Sequence, residues 1–66
     1  MMNDQPLVVG DVLTGTVTKR LPFGVLVESA GTPGLVRGAQ AEPGAELRVR
    51  VTEFDADQRR FAAELA

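Results

Sequence analysis

An aromatic residue, Phe23, stands in a Pro22-Phe23-Gly24 corner, three residues after the basic pair Lys19-Arg20. A ring presented to solvent can stack on a nucleobase, which is worth about 1–3 kcal/mol per base. Lysine and arginine beside it can meet phosphate oxygens. The same ring turned inward would instead plug the corner of a small core. The other polar residues offer little chemistry. There is no histidine or cysteine, and Ser29 is the only serine, with no base beside it. Nucleophilic catalysis therefore has no evident players. No glycine-rich loop ends in Lys-Ser or Lys-Thr to cradle a phosphate. Asp55-x-Asp57 supplies two carboxylates but lacks the glycine and closing glutamate of a calcium loop, so it reads as turn chemistry and no metal is expected. No cofactor is implied. The chain reads as a binding module and not an enzyme.

Length and charge bound the reading further. Sixty-six residues make one domain, and a domain of this size buries only about 60% of the surface its unfolded chain exposes. Without cysteines, no disulfide or thiolate metal site supplements the core. No apolar run approaches the ~20 residues that span a bilayer, and the start, Met1 to Pro6, lacks the pattern of a signal peptide. The expectation is a soluble cytoplasmic monomer with no membrane partner. The net charge of −2 and pI near 4.9 disfavour indiscriminate binding to nucleic acid. All seven basic residues fall between Lys19 and Arg60, however, which leaves room for a local basic patch.

The elements that position these residues follow from period and punctuation. Residues 1–9 are expected to form a flexible tail, with Leu7-Val8-Val9 stapling it to a domain over residues 10–66. Gly10-Asp11 turns into a first strand near Val12 to Lys19. There Leu13, Gly15 and Val17 share one parity, opposed by Thr14, Thr16 and Thr18. Gly15 within it suggests a bulge or sharp coil. Pro22 ends the run, and Gly24 is read as a position of unusual backbone angle. Val25-Leu26-Val27 form a second strand, Ala30 to Gly34 a turn, and Leu35-Val36-Arg37 a short third strand. Gly38 to Gly44 is a loop with a type II composition at Pro43-Gly44. Leu47, Val49 and Val51 alternate with Arg48, Arg50 and Thr52, the cleanest half-buried strand of the chain. Arg48 and Arg50 fall on its polar outer face. Asp55 to Gln58 turns into a last segment from Arg59 to Ala66. Its composition favours helix, but its alternation and the preceding turn favour strand, and strand is the reading adopted.

Five short strands with glycines at their starts and bends suggest an all-β, small five-stranded Greek-key barrel of the OB type. The ordered series is more specific. Gly10-Asp11-Val12-Leu13-Thr14-Gly15-Thr16-Val17, then Pro22-Phe23-Gly24-Val25-Leu26-Val27, then Gly34-Leu35-Val36-Arg37, then Gly44, Val49-Arg50-Val51, Asp55 and Arg60 resembles the S1-type RNA-binding domain of ribosomal and RNA-processing proteins. The likeness runs from about Gly10 to Leu65. It implies single-stranded RNA binding and a candidate set of Lys19, Arg20, Phe23, Leu26, Arg37, Asp55 and Arg60. Within that set the family aromatic before the central glycine is Phe23, and a second aromatic is replaced by Leu26. The family histidine after Gly-Leu-Val is Arg37, which can stack or bind phosphate bidentately. An apolar position late in the first strand becomes Arg20. Asp55 matches the aspartate of the last turn, and Arg60 the basic residue opening the final strand. A charge-assisted bond between these two is expected. The segment after Arg37, longer and partly helical in the family, is cut to Gly38 through Pro43, so less cover is expected at one barrel end.

Two functions follow. One is a weak, non-catalytic single-stranded RNA-binding module in translation or RNA metabolism, alongside the ribosome or an RNA-processing complex. The other is a protein-interaction OB barrel that has lost most RNA contacts, to which the acidic balance, Leu26 and the short loop point.

Overall fold

The computed structural model describes residues 8–66; the greater part of the expected tail, residues 1–7, lies outside them. Five strands, β1 (Val12–Leu21), β2 (Gly24–Ser29), β3 (Thr32–Arg37), β4 (Glu46–Asp55) and β5 (Arg60–Leu65), close into one barrel in the order β1-β2-β3-β5-β4. All contacts are antiparallel except β3 with β5, which run parallel. This is the OB-type barrel expected from the sequence, and the last segment is a strand. The residues alternate because the barrel has one dry side. Val17, Val25, Val27, Val36, Val49 and Val51 fill the interior with side chains under 3% exposed. Phe61 and Ala63 join them from β5. Such β-branched side chains fit the pleated inner wall without bridging voids.

Two long strands serve both halves of the barrel by bulging. The β1–β2 register slips between Val17 and Lys19, and the β4–β5 register slips between Val51 and Glu53. The unpaired residue of β1 is Thr18, whose hydroxyl donates to the Leu26 carbonyl at 3.3 Å. The bulge is thus not at Gly15. Gly15 instead brings β1 close to β2: an added Cβ would stand 3.0 Å from Val27 Cγ2.

The β2–β3 connection is tighter than the sequence suggests. Ser29 pairs with Thr32 across a two-residue turn, and Thr32 and Pro33 belong to β3. Ala30 (φ 51°) and Gly31 (φ 82°) are both left-handed, as a type I′ hairpin requires. Alanine is costly there and asparagine is not. Ala30→Asn is therefore expected to stabilise the fold by about 1 kcal/mol and raise the melting temperature by about 4–8 °C. An unchanged thermal melt would count against this turn geometry.

The shortened loop still covers its end of the barrel. Ala39 is 1% exposed, and Ala41 and Ala45 pack against the core. The Val17 N–H donates to the Ala45 carbonyl and the Gly44 N–H to the Val17 carbonyl, each at 2.8 Å. Gly44 takes a φ of 96° to make that turn. At the other approach, Val8 and Val9 are 47% and 60% exposed. Side-chain burial therefore does not staple the described part of Leu7-Val8-Val9. Backbone pairing anchors the chain just after it, with the Gly10 N–H donating to the Val51 carbonyl at 2.8 Å and the Val51 N–H to the Asp11 carbonyl at 2.9 Å, and the Asp11 N–H reaches back to the Val8 carbonyl at 2.9 Å.

Candidate nucleic-acid interface

The register places one row of side chains across the outside of the barrel. Lys19 lies opposite Leu26, Leu26 opposite Leu35, Leu35 opposite Ala62, and Ala62 opposite Glu53. Each apolar member sits between two buried neighbours on its own strand: Val25 and Val27, Gly34 and Val36, Phe61 and Ala63. Leu26, Leu35 and Ala62 must therefore point outward, and all three are only half-buried. Strands are spaced about 4.8 Å apart, so the row runs ~19 Å around the barrel. It has a cation at one end and a carboxylate at the other. Leu26, Leu35, Ala62 and Glu53 of this row line one groove with Pro33, Phe54, Asp55, Asp57 and Arg60.

Phe23 and Arg37 adjoin the row at the β2 start. Phe23 is 59% exposed, so it is not a plug of the core. Its carbonyl accepts the Gly38 N–H at 3.0 Å, which ties the corner to the end of β3. Gly24, directly opposite Arg37, makes this approach possible by having no side chain. Its φ is not in the left-handed region, contrary to the sequence reading; an added Cβ would overlap the Val36 carbonyl oxygen and come within 2.9 Å of the Arg37 Cα. Close packing, not an unusual dihedral, demands glycine there.

Of the seven residues singled out, Leu26, Asp55 and Arg60 share the groove; Lys19 lies opposite Leu26 on β1, Phe23 precedes β2, and Arg37 lines an adjoining depression. Arg20 is drawn elsewhere. Its guanidinium donates to the Glu42 carboxylate at 2.8 Å, with the two side chains 53% and 78% exposed. A pair so open to water contributes at most about 0.5–1 kcal/mol. Glu42→Gln is accordingly expected to leave the midpoint of chemical denaturation nearly unchanged; a loss above about 1 kcal/mol would show that the pair holds the loop.

Asp55 also differs from expectation. It faces Arg60 across the β4–β5 ladder, but Arg20–Glu42 is the one ion pair among the described residues. Asp55 Oδ1 instead accepts the Asp57 N–H at 3.1 Å and the Gln58 N–H at 3.2 Å. This is an Asx turn, in which a short carboxylate satisfies backbone donors that the turn leaves free. It leaves Arg60 free at the groove wall. Arg48 and Arg50 are exposed on the outer face of β4, as expected. No cluster of three potential metal ligands occurs among the described residues.

Leu35, Glu53, Phe54 and Ala62 were missed from sequence. An apolar residue at the outward parity of an otherwise alternating strand was the available signal for Leu35 and Ala62. Glu53 gave none, because the bulge before it shifts its parity. Charge around the groove is mixed: Glu53, Asp55 and Asp57 line it with Arg60, Lys19 lies opposite Leu26, and Arg37 lines an adjoining depression with Leu35, Glu53 and Glu64.

No protein-family model matches the chain, and no curated protein does. Solved structures do. GSP13 of Bacillus subtilis is 25% identical with a TM-score of 0.79, over 89% of this chain and 55% of that one. An uncharacterised protein of Methanocaldococcus jannaschii is 19% identical with a TM-score of 0.77, over 98% and 96% of the two chains. A multidomain protein of Streptococcus pneumoniae with nucleic acid binding domains is 18% identical with a TM-score of 0.76, over 94% of this chain and 25% of that one. The chain thus spans about half of GSP13 and a quarter of the pneumococcal protein. The barrel is shared throughout, and the resemblance to an S1-type OB domain holds at the level of fold.

Proposed function

We propose that this barrel is a small non-catalytic module that binds single-stranded RNA weakly across the outer face of β2, β3 and β5, serving translation or RNA metabolism in the cytoplasm. One observation carries the reading. The exposed ring of Phe23 and the Arg37 guanidinium adjoin an outward apolar row that begins at Lys19. Unstacked bases lie on such apolar and aromatic surfaces while phosphates track the cations. The β2–β3 face is also where OB barrels engage oligonucleotides, and the pneumococcal fold neighbour carries nucleic acid binding domains. The mixed charge suits a weak ligand: Glu53, Asp55 and Asp57 oppose a polyanion that Lys19 and Arg37 attract. A ribosome or an RNA-processing complex would raise the local RNA concentration that weak binding needs.

An NMR titration with a short unstructured RNA at two salt concentrations tests this. The expected result is shifts clustered at Lys19 to Leu26, Leu35 and Arg37 that weaken as salt rises. Absence of shifts at low salt would overturn the reading. It would favour a protein-interaction barrel, for which the acidic rim of Glu53, Asp55 and Asp57 is the specific support.

A further inference from the structure

Resting on the RNA-binding reading, we propose that Arg59, in the turn between β4 and β5, is a further phosphate-contacting residue of this module. Its φ is 54°, in the left-handed region where a Cβ crowds the backbone. The turn imposes that angle. Asp55 Oδ1 winds the chain by accepting the Asp57 and Gln58 N–H groups, and Arg60 must then re-enter the ladder opposite Asp55. Glycine or asparagine would meet this demand without strain.

The chain carries an arginine there instead, and nothing among the described residues offsets the cost. The side chain is exposed. It joins neither the core cluster nor an ion pair, although Asp55 and Asp57 lie in the same turn. Its neighbour Arg60 lines the groove with Asp55 and Asp57, so Arg59 stands one residue from that lining, in the turn that leads into it. Strain without an internal return points to an interaction outside the chain. A guanidinium with no protein partner is suited to phosphate oxygens, which it can bind bidentately. At this place it would also counter the repulsion that Asp55 and Asp57 exert on a phosphate backbone leaving the groove.

The test measures thermal melting by circular dichroism and binding of a labelled oligouridylate across a salt series, for the full chain and its Arg59→Gly and Arg59→Lys variants. Arg59→Gly should melt no lower than the unaltered chain yet bind three- to ten-fold more weakly at low salt. Its plot of log affinity against log salt should be shallower by about 0.7, the value for one phosphate on a single strand. Arg59→Lys should keep the slope. Unaltered affinity and slope in Arg59→Gly, with the parent chain binding normally, would overturn the assignment. A lowered melting temperature would overturn its premise that the side chain does not stabilise the fold. Failure of the parent chain to bind at low salt would instead remove the RNA-binding reading, and this assignment with it.

Discussion

Gly34→Ala is expected to lower the melting temperature by roughly 4–24 °C. Gly34 lies opposite Phe61 where β3 and β5 run parallel, and the Phe61 ring occupies the space a side chain at 34 would need. An added Cβ would overlap three atoms of that ring. Either the ring swings out of the core, where it is 4% exposed, or the two strands separate at the parallel β3–β5 contact. Overpacking of this kind costs about 1–3 kcal/mol, and each kcal/mol moves the melting temperature of so small a domain by about 4–8 °C. The cause can be isolated. Phe61→Leu removes the outer ring atoms and should itself destabilise. Combined with Gly34→Ala it should cost clearly less than the sum of the two single changes, because the clash is gone. Strict additivity would mean that the ring is not what Gly34 accommodates.

That contact illustrates what the sequence does and does not disclose. The alternations of Leu13-Gly15-Val17 and Leu47-Val49-Val51 reveal β1 and β4, because a period of two fixes which side is dry without reference to any partner. Pairing is a non-local property and is less visible. Gly34 reads as the end of a turn because its partner ring lies twenty-seven positions later in sequence, at Phe61. Pro33 reinforces the same misreading. Proline ordinarily marks a turn, but Pro33 is an exposed member of β3 opposite Glu28. Gly15 and Gly24 show a third kind of limit. Composition reports that glycine is required but not whether a dihedral or a near neighbour requires it. At both positions it is a neighbour.

The candidate site was legible in part for the same reason. Phe23, Leu26, Arg37, Asp55 and Arg60 emerge from the ordered motifs. The groove floor emerges only when Leu26, Leu35 and Ala62, on three different strands, are placed in one row by the register. Side-chain partners stay hidden as well. Arg20 and Glu42 are twenty-two positions apart, and their pairing depends on how the shortened loop returns to β1. Asp55 reads as the partner of Arg60, five residues on, whereas its own backbone, two and three residues on, reaches it first.

Phe23→Ala should separate binding from stability more cleanly than any other change on this face. The ring is 59% exposed and absent from the core cluster. What the fold takes from this residue is its carbonyl, which accepts the Gly38 N–H and is unaffected by truncation. The stability change should therefore stay within about 0.5 kcal/mol, as for a surface substitution. Truncation of a buried phenylalanine would cost about 3–5 kcal/mol. If bases stack on the ring, losing it removes about 1–3 kcal/mol of binding, a weakening of roughly 5- to 150-fold at fixed salt. Leu26, in place of a second aromatic, offers no π face beside it, and the other ring of the groove, Phe54, stands on β4. Phe23→Tyr, which keeps a π face, should recover most of the affinity, and Phe23→Leu, which keeps apolar bulk alone, should recover little. Equal recovery by tyrosine and leucine would replace stacking with simple apolar contact. An intact affinity in Phe23→Ala, with the fold unchanged, would move the RNA path off this corner altogether.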